Sequence, residues 1–83
     1  MHNDVVIAHQ HSVNHRQKVE RDSICGCFYC LEIFSPAKII EWIPDKIDET
    51  ALCPYCGIDS IIGASSGFPI TLEFLTEMQK HWF

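Results

Sequence analysis

The stretch ALCPYCGIDSIIG, residues 51–63, contains two cysteines separated by two residues, Cys53 and Cys56. Such a pair is either a redox dithiol or one half of a metal site. A second pair with the same spacing, Cys27 and Cys30, precedes it, and 22 residues lie between the two pairs. Two short cysteine turns of this kind supply the four soft ligands that tetrahedral zinc prefers. The spacing therefore predicts one zinc ion bound by Cys27, Cys30, Cys53 and Cys56.

Four thiolates leave no open coordination position, so the predicted role of the zinc is structural. A chain of 83 residues has a marginal core that often needs a metal or disulfide staple. Zinc binding contributes roughly 10–16 kcal/mol in zinc-finger peptides, which is enough to stabilise such a core. Cys25 is the fifth cysteine, and we expect a small buried residue beside the site. A role as an alternative ligand or as a reactive thiol stays open for it.

The segment Cys53-Pro54-Tyr55-Cys56 also resembles the active-site dithiol of glutaredoxins. That resemblance implies a disulfide reductase, in which the dithiol lies near the N-terminus and is followed by a long βαββα body with a proline facing the thiols. Here 27 residues follow Cys56, and the sole later proline is Pro69 in a predicted loop. The sequence favours the zinc site over the redox enzyme, with iron or a disulfide as further alternatives.

The net charge of −5 is spread along the chain, and its six basic residues form no cluster. Binding to duplex phosphates needs clustered Lys or Arg, so the charge pattern disfavours nonspecific nucleic-acid binding. The longest apolar runs are three or four residues, far below the roughly 20 needed to cross a bilayer. The N-terminus lacks the features of a secretory signal. These features predict a cytoplasmic protein with no membrane segment, and there clustered cysteines are more often metal ligands than disulfides.

The whole pattern predicts a single α+β zinc-binding domain over residues 1–83. Its centre, residues 24–63, is expected to be a treble-clef-like finger with a short β-hairpin and a short helix. An N-terminal helix over 4–21, without Gly or Pro and with Asp4 as N-cap, flanks it. A C-terminal helix over 71–82 flanks the other side, with Thr71 as N-cap.

Within the finger, residues 31–34 alternate like a strand, and residues 50–52 are expected to form another. Ser35 and Pro36 predict the start of a helix that continues to residue 43. Residues 54–62 contain isoleucines at helical spacing and predict a short helix ended by Gly63.

Three histidines, His9, His11 and His15, lie close together in the predicted N-terminal helix. His11 and His15 have the i, i+4 spacing that can bind a metal, but no third ligand is evident. We expect them to be polar residues that pack against the zinc unit or face away from it. The aromatic residues are expected in the core or in an interface rather than on a base-stacking surface: Trp42, Phe68, Phe74, Trp82 and Phe83.

Two resemblances rest on these residues. The segment ALCPYCGIDSIIG is similar to the second half of a treble-clef finger, as in GATA-type fingers, although the basic tail of those proteins has no counterpart here. The segments HSVNHR, CGCFYCLEIFSPAKIIEW, TALCPYCGIDSIIG, SGFPIT and HWF together resemble a family of small bacterial cytoplasmic proteins of unknown function. That resemblance implies a zinc-dependent domain of the treble-clef or zinc-ribbon type and carries no activity.

The leading functional hypothesis is therefore a non-enzymatic structural-zinc protein that binds another protein. An alternative is a nucleic-acid-binding or regulatory factor with Arg16, Lys18 and Arg21 as contacts. A second alternative is a metal-dependent hydrolase resembling HNH nucleases, with His11 and His15 as its candidate site residues.

Overall fold

Three helices and five short strands make up the described part of the chain, residues 2–83, in a computed structural model. The helices are α1 (His2–Ala8), α2 (Arg16–Val19) and α3 (Leu72–Trp82). The strands are β1 (Cys25–Cys27), β2 (Ile33–Phe34), β3 (Trp42–Pro44), β4 (Glu49–Ala51) and β5 (Ile61–Gly63). Short 3₁₀ helices cover His9–Ser12, Pro36–Lys38 and Ala64–Ser66. The α+β class agrees with the prediction, and none of these helices is long and apolar enough to cross a membrane.

Strand β1 lies at the centre of an antiparallel three-stranded sheet, with β2 on one side and β5 on the other. Strands β3 and β4 form a separate antiparallel hairpin. The first cysteine pair begins at the end of β1, and the second lies between β4 and β5. Because β5 pairs with β1 and Ile61 lies opposite Cys27, the sheet brings the two cysteine pairs to the same end.

Strand β5 separates two groups of buried side chains. Ile61 and Ile62 are both fully buried, and adjacent side chains on a strand point to opposite faces. Ile61 belongs to what we call the cysteine core, with Val19, Cys25, Cys27, Phe34, Ile39, Ala51 and Cys53. Ile62 belongs to the helical core, with Val5, Ala8, Phe28, Phe74, Leu75 and Met78.

The short helix predicted within residues 54–62 is wrong, because the chain forms a turn and then strand β5. The isoleucine spacing that indicated a helix has another cause. A strand that is buried on both faces needs no polar residue at alternate positions, so it lacks the alternation by which half-buried strands are recognised.

The single N-terminal helix predicted over 4–21 is also wrong, because residues 13–15 are not helical and interrupt it. Val13 is extended, Asn14 has a positive φ of 51°, and the His15 amide donates to the Glu49 carbonyl at 2.9 Å. The side-chain oxygen of Asn14 accepts hydrogen bonds from the amides of residues 47 and 48. Contacts with the β3–β4 hairpin therefore outweigh the local helix preference, and Asp4 lies within α1 rather than at its N-cap.

The helix predicted over residues 35–43 is limited to the 3₁₀ helix at Pro36–Lys38. Its start agrees with the prediction, since the Ser35 hydroxyl accepts a hydrogen bond from the Ala37 amide at 3.3 Å. The backbone is extended at Ile39 and then forms β3, which pairs with β4. β-Branched and aromatic side chains favour such pairing. Strand β4 begins one residue earlier than residues 50–52 suggest.

Helix α3 agrees with the predicted C-terminal helix. The Thr71 hydroxyl accepts a hydrogen bond from the Phe74 amide at 3.2 Å, which is the predicted N-cap. Leu75 and Met78 are buried, whereas Leu72 is 58% exposed. The helix packs closely on β1, because a Cβ atom at Gly26 would lie 2.7 Å from Leu75 Cδ1.

His15 is 4% exposed, and both of its ring nitrogens have backbone partners. Nδ1 lies 2.7 Å from the His11 carbonyl oxygen, to which it donates, and Nε2 accepts from the Ala51 amide at 3.0 Å. This pairing requires the neutral ring with its proton on Nδ1. Burial lowers the pKa of His15, and the hydrogen bond to His11 opposes that effect only in part.

We predict that His15 titrates below its ordinary pKa of about 6.5 in the folded protein. Its contribution to stability is then present above that value and is lost as the pH falls through the lower folded pKa, by about 1.4 kcal/mol per unit of depression. Two-dimensional NMR of the imidazole carbon–hydrogen signals during a pH titration measures the midpoint. A midpoint at or above 6.5 contradicts the prediction.

Candidate metal centre

The first cysteine pair forms a turn closed by two backbone hydrogen bonds. The Cys27 amide donates to the Glu32 carbonyl at 2.9 Å, and the Leu31 amide donates to the Cys27 carbonyl at 2.9 Å. The amides of Tyr29 and Cys30 point at the Cys27 sulfur, at 3.3 and 3.4 Å. The hydrogen bonds of this turn, residues 27–31, hold the Cys27 and Cys30 sulfur atoms on the same side of the turn.

The second cysteine pair repeats the same turn 26 residues later, at residues 53–57. The Cys53 amide donates to the Ile58 carbonyl at 3.0 Å, and the Gly57 amide donates to the Cys53 carbonyl at 2.9 Å. The Tyr55 amide lies 3.4 Å from the Cys53 sulfur. The residue after each second cysteine is left-handed, with φ of 68° at Leu31 and 80° at Gly57. Glycine adopts that conformation freely, and leucine does so only under tertiary constraint.

The four sulfur atoms of the two turns all lie within 4.8 Å of one another. The Sγ atoms of Cys27 and Cys56 are 3.6 Å apart, and those of Cys30 and Cys53 are 3.7 Å apart. Four sulfurs at about 2.3 Å from a tetrahedral zinc ion would be about 3.8 Å apart. The spacing therefore fits a tetrahedral ion, whereas a disulfide requires about 2.05 Å.

The first cysteine of each turn is buried, and the second is half-buried. Cys27 and Cys53 are 0% and 3% exposed, while Cys30 and Cys56 lie at the edge of the cluster. Burial raises the pKa of Cys56 to about 11 and also raises the pKa of Cys30. Burial opposes ionisation of Cys27 too, but hydrogen bonds from Ser60 and two backbone amides outweigh it and lower its pKa.

Ser60 contacts the cluster and was not identified from the sequence. It is 1% exposed, and its Oγ lies 2.9 Å from the Cys27 sulfur. The Ser60 carbonyl accepts a hydrogen bond from the Phe28 amide at 3.0 Å. In the second turn the position of Phe28 is occupied by Pro54, which has no amide hydrogen. The spacing of the cysteines gives no signal for this residue. Only the pairing of β5 with β1 places it beside the first turn.

Cys25 lies beside the cluster without being part of it. It is fully buried, and its Sγ lies 3.5 Å from the Phe34 carbonyl oxygen, to which the thiol donates. Burial and the nearby charge of Asp22 raise its pKa to about 12. This agrees with the expected small buried residue and makes a reactive thiolate at Cys25 unfavourable.

The histidines lie apart from the sulfur cluster. Both nitrogens of His15 are used by backbone groups, so its ring has no lone pair left for a metal or for a substrate proton. The His9 ring packs against Trp82 at 4.0 Å between centroids, and the His11 ring faces Phe68 at 6.3 Å. These contacts agree with the expectation that the histidines pack within the domain or face away from the zinc unit, and they leave His15 unable to act in a hydrolase centre with His11.

Arg16 is committed to contacts within the chain. Its guanidinium donates to Glu20 at 2.9 Å and to Glu49 at 2.6 Å, and it lies 5.0 Å from the centre of the Trp42 ring. An arginine held by two carboxylates is poorly suited to bind phosphate. The geometry therefore weakens the hypothesis of nucleic-acid contacts at Arg16, Lys18 and Arg21.

The fold and site define a small α+β domain with a four-cysteine cluster that can hold a metal ion. No protein-family model matches the chain, and no curated protein or solved structure is significantly similar to it. The resemblance to a family of small bacterial proteins therefore stays an expectation from the sequence.

We predict that zinc binding to the metal-free protein at pH 7 releases at least two protons, because Cys30 and Cys56 have raised pKa values. The zinc affinity should accordingly fall about a hundredfold or more between pH 7 and pH 6. A pH indicator in weakly buffered solution measures the released protons, and a competing chelator measures the affinity. Release of fewer than two protons contradicts the prediction.

Proposed function

We propose that this chain is a structural-zinc domain in which Cys27, Cys30, Cys53 and Cys56 bind one Zn²⁺. The observation that supports this is the tetrahedral spacing of four sulfurs from two equivalent turns. Tetrahedral thiolate sites bind zinc or iron, and we favour zinc because the expected role is structural. When bound, the ion supplies a cross-link and neutralises the thiolates, and the closed ligand set gives it no catalytic position.

The type of finger follows from the elements around the two turns. In a treble-clef finger the second cysteine pair opens a helix, whereas here it is followed by β5. Two matching cysteine turns, both next to strands of one antiparallel sheet, are closer to a zinc ribbon. We therefore assign the domain to the zinc-ribbon type. Because zinc thiolate sites and reduced cysteines are typical of reducing compartments, the cytoplasm is its proposed location.

The same geometry argues against a redox dithiol at Cys53 and Cys56. A catalytic pair needs an exposed thiol with a lowered pKa. Here Cys53 is 3% exposed, and the pKa of Cys56 is raised to about 11 by burial. Each of the two sulfurs also contacts a sulfur of the other turn. The resemblance to a glutaredoxin dithiol is thus limited to the four residues Cys53-Pro54-Tyr55-Cys56.

We further propose that the zinc-stabilised domain binds another protein through a groove between α1 and α3. The groove has a volume of 660 Å³. Val5 and Phe74 are buried at its base, and Leu72 is 58% exposed at its edge. An exposed apolar residue beside a concave apolar surface is a typical anchor point for a partner's side chains.

The charges around the groove indicate the chemistry of that partner. Glu73 and Glu77 line the groove one helical turn apart, and both are exposed. No basic residue lines it within the described part of the chain. A partner segment with apolar residues on one face and Lys or Arg beside them would match both features. We therefore propose a basic amphipathic segment of another protein as the occupant.

The zinc proposal predicts close to one zinc per chain in the purified protein. Cys53→Ser should lose the metal and the fold, because the ion supplies much of the folding free energy. Cys25→Ser is the matched control and should retain both, since Cys25 lies outside the cluster. Metal analysis with far-UV circular dichroism measures both properties. Folded protein without zinc, or equal damage from the two substitutions, contradicts the proposal.

The groove proposal predicts that a synthetic amphipathic peptide with Leu and Lys at helical spacing binds the zinc-loaded protein. Glu73→Lys with Glu77→Lys should weaken binding by about tenfold, because each exposed attraction of up to about 1 kcal/mol becomes a repulsion. Glu41→Lys, outside the groove, is the control and should have little effect. Trp82 fluorescence is a suitable readout, since its indole donates to the Val5 carbonyl at 3.0 Å.

Two results would contradict the groove proposal. One is equal loss of peptide binding in the groove and control variants. The other is salt-sensitive binding of mixed-sequence DNA that is tighter than binding of the peptide, which would favour the nucleic-acid alternative.

A further inference from the structure

We propose that the cysteine cluster is a site of oxidative modification with a fixed order, in which the first disulfide to form leaves Cys27 as a thiol. Ser60 sets this order by making Cys27 the least reactive of the four sulfurs. The inference rests on the proposed zinc site. It concerns an oxidant of the peroxide class, such as hydrogen peroxide.

The distances between sulfurs do not decide the order. Across the two turns, Cys30 lies 3.7 Å from Cys53, and Cys27 lies 3.6 Å from Cys56. Each of these pairs also contains one buried and one half-buried cysteine. Both pairs are thus equally placed to meet an oxidant and to close a bond.

Hydrogen bonding makes the buried sulfur of one pair a weaker nucleophile than the buried sulfur of the other. The Cys27 sulfur has three donors, which are the Ser60 hydroxyl at 2.9 Å and the amides of Tyr29 and Cys30. The Cys53 sulfur has the Tyr55 amide at 3.4 Å, which is the counterpart of the Tyr29 bond. A donor withdraws electron density from a thiolate, and hydrogen bonds to charged groups are the strong ones. Cys53 is therefore the better nucleophile of the two buried sulfurs.

The chemistry proceeds in two balanced steps. The half-buried Cys30 thiolate attacks one peroxide oxygen, the O–O bond breaks, and sulfenic acid and hydroxide form. The Cys53 thiolate then attacks the Cys30 sulfur, the S–S bond forms, and a second hydroxide leaves. Two thiolates lose two electrons, and one peroxide gains them. The same sequence from Cys56 also has Cys53 within reach as the attacking sulfur, because all four sulfurs lie within 4.8 Å of one another. From either start, attack by Cys27 is slow, because three donors contact its thiolate.

Formation of the first disulfide removes two of four ligands at once. For Cys30 and Cys53 the sulfurs must approach from 3.7 Å to about 2.05 Å, which is shorter than any separation around a tetrahedral zinc ion. Zinc release should therefore accompany this step. Cys27 then remains as a thiol.

The test treats zinc-loaded protein with less than one equivalent of hydrogen peroxide and measures zinc release with a chromogenic chelator. Free thiols are alkylated, disulfides are reduced, and the released thiols receive an isotopically heavy label for tandem mass spectrometry. We expect heavy label on Cys53 at least about threefold above that on Cys27, given a charged hydrogen bond of this strength. A first disulfide that contains Cys27 overturns the proposal.

Ser60→Ala provides the second arm, with the exposed Ser23→Ala as the matched control. Loss of the hydroxyl should raise the share of heavy label on Cys27 and should speed zinc release by about threefold or more. In cobalt-substituted protein, the thiolate-to-metal charge-transfer band should move to longer wavelength, because a more electron-rich sulfur is easier to oxidise. A purely structural role for Ser60 would leave this band in place.

The outcomes separate this proposal from the one on which it rests. Protein that is folded but carries no zinc contradicts the structural-zinc proposal. Protein that carries one zinc and oxidises Cys27 as readily as Cys53 contradicts the assigned order alone. If Ser60→Ala does not fold, the order in the wild-type protein still decides the question.

Discussion

Four sulfur atoms lie within 4.8 Å of one another, and the repulsion between their negative charges constrains the whole fold. Without a cation, thiolates this close repel each other, so burial and mutual proximity keep Cys30 and Cys56 protonated. With a divalent ion, the same closeness becomes an advantage, because the ion gathers four ligands that the backbone has already aligned. Strands of both sheets lead into this cluster, because the first cysteine pair begins at the end of β1 and the second follows β4.

The sequence was most informative where local chemistry decides the structure. The cysteine spacing predicted which four sulfurs come together, and Thr71 and Ser35 were identified as caps whose hydroxyls accept the expected amides. These features depend on residues a few positions apart. Strand β5 and the break at Asn14 depend instead on partners far along the chain, so local patterns pointed to helices in both places.

The repeat of the cysteine turn was visible in the sequence only as two cysteine pairs with the same spacing. Its full extent appears in backbone hydrogen bonds at equivalent positions of the two turns. Because most side chains allow these bonds, they leave little trace in the sequence. The left-handed residues illustrate this, because Gly57 signals a turn while Leu31, in the same conformation, does not. Ser60 was missed for a related reason, since its role comes from a strand pairing rather than from its neighbours in the chain.

The two buried isoleucines of β5 connect the cysteine core to the helical core. Ile61 touches the cysteine core and Ile62 the helical core, and their Cα atoms are about 3.8 Å apart. A shift of β5 that accompanies loss of the metal would thus reach the floor of the α1–α3 groove through one peptide unit. The state of the sulfurs and the shape of the proposed groove would then be linked through the position of a single strand.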